Sequence, residues 1–187
     1  MLAVGKTILL LGDSLSAGYG LEKVTDGWPA LLQARLSEKH LGYQLVNESI
    51  SGETTSNGLF KLPSMLEKYH PDIVIIAYGG NDGLRGLDLN AMKSNIAQMI
   101  VLIEKNQAKV LLAGVRLPPN YGSKYTQGFE RVYTSLSKEY HIALVANMLR
   151  NVDEYPDLMQ ADGLHPNKKG QPLIFENIWL KLLPLLK

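Results

Sequence analysis

Short, mainly apolar runs alternate along this chain with longer segments in which apolar residues recur at helical spacing. A short apolar run bounded by glycine or small polar residues is typical of a strand buried on both faces. Such runs predict strands at Thr7 to Leu11, Gln44 to Ile50, Ile73 to Ala77, Lys109 to Gly114 and Ile142 to Val145. Because a helical segment separates each strand from the next, the strands cannot join through tight hairpins and are predicted to run parallel.

The segments between the strands predict amphipathic helices. The clearest apolar stripe comprises Leu89, Met92, Ile96, Met99, Ile100 and Ile103. Further helices are predicted from Trp28 to His40, around Asn57 to Tyr69, around Phe129 to Leu136 and from Leu173 to Leu182. We assign these stripes to the core and to no cofactor. The whole pattern predicts an α/β fold, with a five-stranded parallel sheet covered by helices on both faces as a three-layer sandwich.

Length and composition agree with one globular domain. The chain has 187 residues, of which 45% are hydrophobic and 20% charged, enough to bury a sizeable core. We therefore predict a single domain over residues 1–187. Its 19 basic and 18 acidic residues give a formal net charge of +1, which provides no broad field for attracting nucleic acid or an anionic membrane. No apolar run approaches the roughly 18 residues that a membrane-spanning helix needs.

The cysteine and histidine content argues against two kinds of site. The chain has no cysteine, which excludes disulfides, a thiolate nucleophile and thiolate metal ligands. Its histidines are His40, His70, His141 and His165, and they do not fall at the spacing of a helical metal-binding motif. We therefore predict no metal ion.

The first predicted strand stops abruptly at a Gly-Asp-Ser sequence that ends in Ser14. A serine hydroxyl attacks a carbonyl only where an imidazole removes its proton and a third group orients that imidazole. Near the other end of the chain, Asp162 and His165 can fill those two roles. They lie three residues apart with Gly163 between them, so one turn of chain can aim both side chains the same way.

Each of these residues also has a purely structural interpretation. A serine after a strand is often a helix N-cap, Asp-Gly is a common turn, and a single histidine near a chain end is usually a solvated surface group. Asp13, which precedes the serine, is predicted to cap backbone N–H groups in the loops, and Asp82 is given the same role. Support for catalysis therefore has to come from further segments.

Two more predicted strands end in small polar loops. Gly52 follows the second strand, and Asn81 follows the third within a Gly-Gly-Asn-Asp sequence. The carboxyl ends of parallel strands form the ligand crevice of an open α/β sheet, so Ser14, Gly52 and Asn81 are predicted to converge there. The backbone N–H groups of Ser14 and Gly52 and the side-chain amide of Asn81 are donors of the kind that stabilise a developing oxyanion.

Four blocks, in this order, resemble those of the GDSL family of the SGNH-hydrolase superfamily. They are Gly12-Asp13-Ser14-Leu15-Ser16, Gly52, Gly79-Gly80-Asn81-Asp82 and Asp162-Gly163-Leu164-His165-Pro166. Three longer strings are similar to the bacterial branch of multifunctional thioesterases, proteases and lysophospholipases and to related arylesterases. These strings are Trp28 to Leu32, Gly79 to Gly86 and Arg116 to Gly122. The resemblance covers essentially the whole chain.

The resemblance implies a flavodoxin-like three-layer fold and a serine esterase that needs no cofactor. It makes Ser14 the nucleophile, His165 the general base and then acid, and Asp162 the group that orients His165. It also assigns Gly52 and Asn81 to the oxyanion hole, together with the N–H of Ser14. The substrates that it implies are small carboxylic esters with aryl or short to medium acyl groups, and also thioesters or lysophospholipids.

The resemblance further implies where substrate binds and where the protein acts. The loop from Arg116 to Ser123 and the segment from Gly83 to Leu89 are expected to shape the acyl or leaving-group pocket. The apolar candidates are Leu84, Leu117, Pro118, Tyr121 and Leu164. Exported members of this branch imply a periplasmic or secreted protein. Met1 to Lys6 leave no room for a signal peptide before the first strand, and the alternative expectation is a soluble cytoplasmic protein. Balanced charge makes a monomer the default expectation.

Two other functions stay open at this point. One is a carbohydrate O-deacetylase of the same superfamily, which activity on acetylated sugars would distinguish from an esterase of aryl and lipid substrates. The other is a non-enzymatic flavodoxin-like module that binds flavin or accepts a phosphate on Asp13. Such a module leaves Asn81 and the pair of Asp162 and His165 without a task. Within the esterase interpretation, the choice between ester, thioester and peptide substrates also stays open.

Overall fold

A five-stranded parallel sheet forms the centre of the computed structural model, which describes residues 5–186. The strands are β1 (Lys6–Gly12), β2 (Tyr43–Asn47), β3 (Ile73–Ala77), β4 (Lys109–Ala113) and β5 (Ala143–Val145). They are ordered β2-β1-β3-β4-β5, and every neighbouring pair runs parallel. The predicted α/β fold and its parallel sheet are confirmed.

Helices connect the strands and cover both faces of the sheet. They are α1 (Ser14–Ala17), α2 (Trp28–Glu38), α3 (Thr55–Tyr69), α4 (Gly80–Leu84), α5 (Leu89–Lys105), α6 (Ser123–Tyr140) and α7 (Gln171–Leu182). Helix α2 packs against α7 on one face, whereas α5 packs between α3 and α6 on the other. This arrangement is the predicted three-layer sandwich.

The middle strands are buried on both faces, as their continuous apolar sequences require. All residues of β3 are buried, and the segment from Ile8 to Leu11 in β1 has no exposed surface. The apolar stripe of α5 packs onto the sheet through Met92, Ile96, Met99, Ile100 and Ile103. Burying one such side chain contributes roughly 1.5–3 kcal/mol to stability, so the sheet is a firm support for the loops at its edges.

The register of the strands brings three loops to one edge of the sheet. Gly12 at the end of β1 pairs with Ala77 at the end of β3, and Leu10 pairs with Asn47 at the end of β2. The loops that follow these strands therefore leave the sheet side by side. They carry Ser14, Gly52 and Asn81.

Two short helices and the end of the second strand differ most from the sequence prediction, whereas the other strand ends agree to within one residue. Helices α1 and α4 have four and five residues, too few for an amphipathic period, and the apolar pattern does not predict them. The second strand ends at Asn47 rather than at Ile50, although the N–H groups of Glu48 and Ile50 still donate to the carbonyl oxygens of Leu10 at 2.9 Å and Gly12 at 3.0 Å in β1. The Asn47 side chain holds the loop that follows. Its Oδ1 accepts from the N–H of Ser49 at 3.1 Å, and its Nδ2 donates to the carbonyl oxygen of Ser16 at 2.9 Å.

No helix within residues 5–186 is long and apolar enough to cross a membrane. The sequence analysis expects no room for a signal peptide before the first strand. That expectation concerns mainly Met1 to Val4, which lie outside the described residues.

Candidate active site

Ser14 lies just beyond the carboxyl end of β1, in the first turn of α1. Asp13 caps this helix, since its Oδ1 accepts from the N–H of Leu15 at 3.1 Å. Gly12 allows the sharp turn from strand to helix, because a Cβ at this position would lie 2.8 Å from Ser16 Oγ. The local sequence thus places the serine at the edge of the sheet, where its hydroxyl faces a cavity.

Ser14 and His165 come from opposite ends of the chain and meet at hydrogen-bonding distance. The Nε2 atom of His165 lies 2.8 Å from Ser14 Oγ, and its Nδ1 atom lies 2.6 Å from Asp162 Oδ2. An ionised carboxylate only accepts hydrogen bonds, so Nδ1 carries the ring proton and Nε2 of the neutral imidazole is left to accept from the serine. The three side chains form a continuous hydrogen-bonded chain.

Asp162 is oriented by the backbone as well as by the imidazole. Its Oδ1 accepts from the N–H groups of Leu164 at 2.9 Å and of His165 at 3.0 Å. Partial burial raises the pKa of this carboxyl, but the hydrogen bonds from His165 and Leu164 outweigh that effect and lower the pKa to about 2. Asp162 is therefore ionised throughout the pH range in which a histidine imidazole ordinarily takes up or loses a proton.

Gln160 ties the segment that carries His165 to the loop after β1. Its backbone N–H donates to the carbonyl oxygen of His165 at 2.7 Å. Its side-chain Nε2 donates to the carbonyl oxygens of Pro166 at 3.0 Å and of Tyr19 at 2.8 Å. One glutamine therefore fixes the spacing between the two loops that bring serine and imidazole together.

Gly52 and Asn81 line the same cavity as the serine. Gly52 lies in a turn with φ +83°, a conformation that glycine adopts without steric cost. The Asn81 side-chain nitrogen donates to the carbonyl oxygen of Glu53 at 3.0 Å and to Asp13 Oδ2 at 3.3 Å. Two of the donors predicted for an oxyanion therefore share one cavity with the predicted nucleophile.

Two buried carboxyl groups support loops, as the sequence predicts. Burial raises the pKa of Asp13 to about 6, because the N–H of Leu15 and the nearby imidazole offset only part of its lost hydration. Asp82 accepts from both the backbone N–H and the hydroxyl of Thr55, the first residue of α3. The capping roles of Asp13 and Asp82 are confirmed.

A cavity of about 780 Å³ opens beside Ser14. Its wall includes most of the apolar residues predicted for the pocket, namely Leu84, Leu117, Pro118 and Leu164. Tyr121 is not part of this wall. Its hydroxyl donates to the carbonyl oxygen of Leu84 at 2.9 Å, and its ring lies 6.5 Å from that of Tyr125. Tyr121 therefore supports the pocket loop from behind instead of lining the pocket.

Three residues at the site are not predicted from the sequence. Tyr19 lies against His165, Arg85 donates to the carbonyl oxygen of Gly52, and Gln160 connects two loops. Each contacts a segment that is remote in sequence, so the sequence pattern does not show these roles, although Arg85 lies within the string from Gly79 to Gly86. The glycines on either side of Tyr19 are the one local signal, since they mark a tight loop directly after the nucleophile.

The arrangement is suited to acyl transfer. It combines a serine hydrogen-bonded to an oriented imidazole, amide donors on the same cavity, and an apolar wall for an organic substrate. Within residues 5–186, no three histidine, aspartate or glutamate side chains are grouped so as to hold a metal ion.

Residues 10–173 match the model of the GDSL-like Lipase/Acylhydrolase family. Known relatives extend the similarity over almost the whole chain. The esterase TesA of Pseudomonas aeruginosa is 45% identical over 184 residues, which are 98% of this chain and 91% of that protein. The thioesterase 1/protease 1/lysophospholipase L1 of Escherichia coli K12 is 39% identical over 184 residues, which are 98% of this chain and 86% of that protein.

The similarity extends to a solved esterase structure. The crystal structure of the psychrotrophic esterase EstA from Pseudoalteromonas sp., inhibited by monoethylphosphonate, has a TM-score of 0.91 and 39% identity to this chain. The match covers 97% of this chain and 98% of that one. Motifs, relatives and backbone therefore agree over the full length of the fold.

Proposed function

From the premise that this chain belongs to the GDSL-like lipase/acylhydrolase family and is a carboxylic ester hydrolase, we propose that it forms an acyl-enzyme on Ser14. His165 acts as general base and then as general acid, and Asp162 orients it. The observation that supports these roles most directly is the hydrogen-bonded chain through the three side chains, with distances of 2.8 Å and 2.6 Å.

In the first step, the Ser14 oxygen attacks the ester carbonyl while Nε2 of His165 takes the hydroxyl proton. The negative charge that develops on the carbonyl oxygen is stabilised by the N–H groups of Ser14 and Gly52 and by the side-chain amide of Asn81, which exchanges its longer hydrogen bond to Asp13 Oδ2 for one to the oxyanion. The ionised Asp162 stabilises the imidazolium without taking its proton. When the tetrahedral intermediate collapses, the leaving alcohol takes that proton and departs.

In the second step, water attacks the acyl-enzyme. His165 removes a proton from the water, the same amide donors stabilise the second oxyanion, and Ser14 recovers its proton as the carboxylic acid leaves. The neutral imidazole of His165 is the base in both steps.

For substrates, we propose small carboxylic esters with aryl or short to medium acyl groups, and thioesters or lysophospholipids in addition. The apolar wall supports this class, because Leu84, Leu117 and Pro118 favour a hydrocarbon or aryl group over a hydrated sugar. The Escherichia coli relative is named for thioesterase and lysophospholipase activities as well as a protease activity. A carbohydrate O-deacetylase is therefore the less well supported member of the superfamily.

We also propose that residues 1–187 form one catalytic domain that acts as a monomer and is exported to the periplasm or secreted. The balanced charge supports the monomer, and the family resemblance supports the export. Light scattering during gel filtration tests the first point. Fractionation of cells that express the native gene tests the second.

Labelling with a fluorophosphonate tests the nucleophile. We expect a single adduct, mapped by mass spectrometry to Ser14 and not to Ser51, which also lines the cavity. Ser14→Ala removes the label and the ester turnover. His165→Ala slows labelling strongly, because the hydroxyl then keeps its proton.

Circular dichroism and thermal unfolding establish that each variant is folded. A folded Ser14→Ala protein with near wild-type esterase activity would contradict the assignment of the nucleophile. Aryl esters, acyl-thioesters and acetylated sugars, compared by kcat/KM, then separate the substrate classes.

A further inference from the structure

Tyr19 lies against the imidazole of His165, and the mechanism above gives it no role. The two ring centroids are 4.5 Å apart, and the ring planes are inclined by 41°. Tyr19 is nevertheless 53% exposed, and it lines the cavity beside Ser14. A large aromatic ring thus contacts the reacting base and keeps an open surface toward the space that substrate enters.

The backbone holds Tyr19 in a defined place relative to both reacting groups. Its N–H donates to the carbonyl oxygen of Ser14 at 3.2 Å, and its own carbonyl oxygen accepts from Gln160 Nε2 at 2.8 Å. Gly18 and Gly20, on either side, have φ values of +78° and +71°, which glycine adopts readily. Because these hydrogen bonds already hold the loop, the ring loses little conformational freedom when it contacts a ligand.

The chemistry determines which part of the substrate passes Tyr19. In the tetrahedral intermediate, the leaving oxygen must lie within reach of His165 Nε2, because it takes its proton from that atom. The oxyanion points instead toward the amide donors of Gly52 and Asn81. The leaving group therefore extends along the imidazole side of the cavity, which is the side that Tyr19 occupies.

We propose that Tyr19 determines leaving-group specificity by providing an aromatic surface for esters of planar, aromatic alcohols. The inference rests on the proposed function, since it needs Ser14 as nucleophile and His165 as proton donor. A contact between two aromatic rings raises kcat/KM about 2- to 12-fold, in addition to the gain from burying the apolar surface of the rings. An aliphatic leaving group lacks this contact while using the same proton transfer.

Two acetate esters whose leaving alcohols have similar acidity separate this contact from chemical reactivity. Phenyl acetate carries an aromatic leaving group, and 1,1,1,3,3,3-hexafluoroisopropyl acetate carries none. We expect Tyr19→Ala and Tyr19→Leu to lower kcat/KM for phenyl acetate about tenfold and for the fluoroalkyl ester no more than about threefold. Tyr19→Phe should keep the wild-type ratio, because it keeps the ring.

Tyr155→Ala is the matched control. Tyr155 is 51% exposed and is not among the described residues that line the cavity, so its removal should leave the ratio of the two substrates unchanged. Equal losses on both esters, or an unchanged ratio in the folded Tyr19→Ala and Tyr19→Leu proteins, would overturn the proposal.

The pH profile of kcat/KM for the fluoroalkyl ester separates a substrate contact from an effect on the imidazole. We expect the Tyr19→Ala profile to keep the shape of the wild-type profile, and a displaced profile would overturn the proposal in favour of a role in positioning His165. Failure of the proposed function has a different signature. In that case the fluorophosphonate does not label Ser14 of the wild-type protein. Active-site titration with the same reagent then counts no reactive serine, before any variant is compared.

Discussion

Burial of a single carboxyl group, that of Asp13, makes the stability of this protein depend on pH. Asp13 is 2% exposed, and its removal from water raises its pKa from 3.8 to about 6. The unfolded chain therefore releases this proton at lower pH than the folded protein. As pH rises from about 4 to about 6, we expect the contribution of Asp13 to the free energy of unfolding to fall by up to about 3 kcal/mol, since the two pKa values differ by about two units.

Asp13→Asn tests this dependence, because asparagine still accepts from the N–H of Leu15 but does not titrate. Urea unfolding measures the free energy of unfolding of the variant and of wild type. The difference, variant minus wild type, is expected to increase by up to about 3 kcal/mol between pH 4 and pH 8. Asp157→Asn, in an exposed turn, is the control and should show no comparable rise. A difference between Asp13→Asn and wild type that is equal at both pH values would contradict the expectation.

Reacting groups are easier to predict from the sequence than the residues that hold them. A serine, a histidine and an acid in a known order point to a chemistry because few residue types can perform it. Gln160 and Arg85 act by donating to backbone carbonyls, a task that many long polar side chains fulfil. Their roles depend on which loops lie adjacent, and the sequence pattern does not contain that information.

Among the secondary-structure elements, the short helix α4 connects the two loops that carry the predicted oxyanion donors. Asn81 lies in α4, and Arg85 follows its last residue. The Asn81 amide donates to the carbonyl oxygen of Glu53 at 3.0 Å, and Arg85 Nη2 donates to that of Gly52 at 2.7 Å. Two side chains one turn apart therefore bind two consecutive carbonyls of the loop that presents the Gly52 N–H.

Arg85→Ala removes one of these two supports. We expect kcat to fall about tenfold with little change in KM, since full loss of an oxyanion donor costs on the order of 10²–10³ and this change only loosens one. Affinity for an arylboronic acid, which forms a tetrahedral adduct on serine, should weaken by a similar factor. Arg131→Ala, exposed on α6, serves as control. If kcat and boronate affinity of Arg85→Ala both match wild type, the carbonyl of Gly52 needs no such support.

The elements that the sequence predicts well are those whose apolar pattern is long enough to be distinctive. The bounds of β3 are predicted correctly, because five continuous apolar residues lie between polar or glycine-containing segments. Helix α6 begins at Ser123, earlier than the predicted core around Phe129, because its first turns face solvent and carry no apolar stripe. Helices α1 and α4 contain Ser14 and Asn81, respectively, and are too short to show any period.

Across the whole molecule, Gln171 connects parts of the chain that are far apart in sequence. It is 3% exposed at the start of α7. Its Oε1 accepts from the N–H of Trp28 at 3.0 Å, and its Nε2 donates to the carbonyl oxygen of Pro166 at 3.3 Å. Trp28 in turn donates from Nε1 to the carbonyl oxygen of Leu15 at 3.1 Å. Buried polar contacts thus join the segment of the nucleophile to the segment of the base.

Parallel topology explains why the convergence of the two chain ends can be expected from the sequence, whereas this network cannot. Strands that alternate with helices must place their carboxyl ends at one edge, so the loops after them meet whatever the detailed packing. The contacts of Gln171 depend instead on the angle at which α2 and α7 cross. Many side-chain combinations allow these helices to pack together, and the apolar pattern does not indicate that an amide lies between Trp28 and Pro166.

Replacing Gln171 with leucine separates the stability of the fold from the chemistry of the site. The N–H of Trp28 loses its buried partner, whereas the carbonyl of Pro166 keeps the hydrogen bond from Gln160, so we expect the free energy of unfolding to fall by about 1–3 kcal/mol. Well below the midpoint of thermal unfolding, kcat should stay within about twofold of wild type, because Gln160 still donates to Pro166.

Thermal unfolding and initial rates at low temperature measure the two effects of Gln171→Leu independently. Gln98→Leu is the control, since this glutamine is exposed on α5 and bonds only within its own helix, so its loss should change stability by no more than about 0.5 kcal/mol. The opposite outcome for Gln171→Leu, wild-type stability with a large loss of kcat, would contradict the expectation. It would mean that the contacts between α2 and α7 set the position of His165 itself, and that the fold does not need them for its stability.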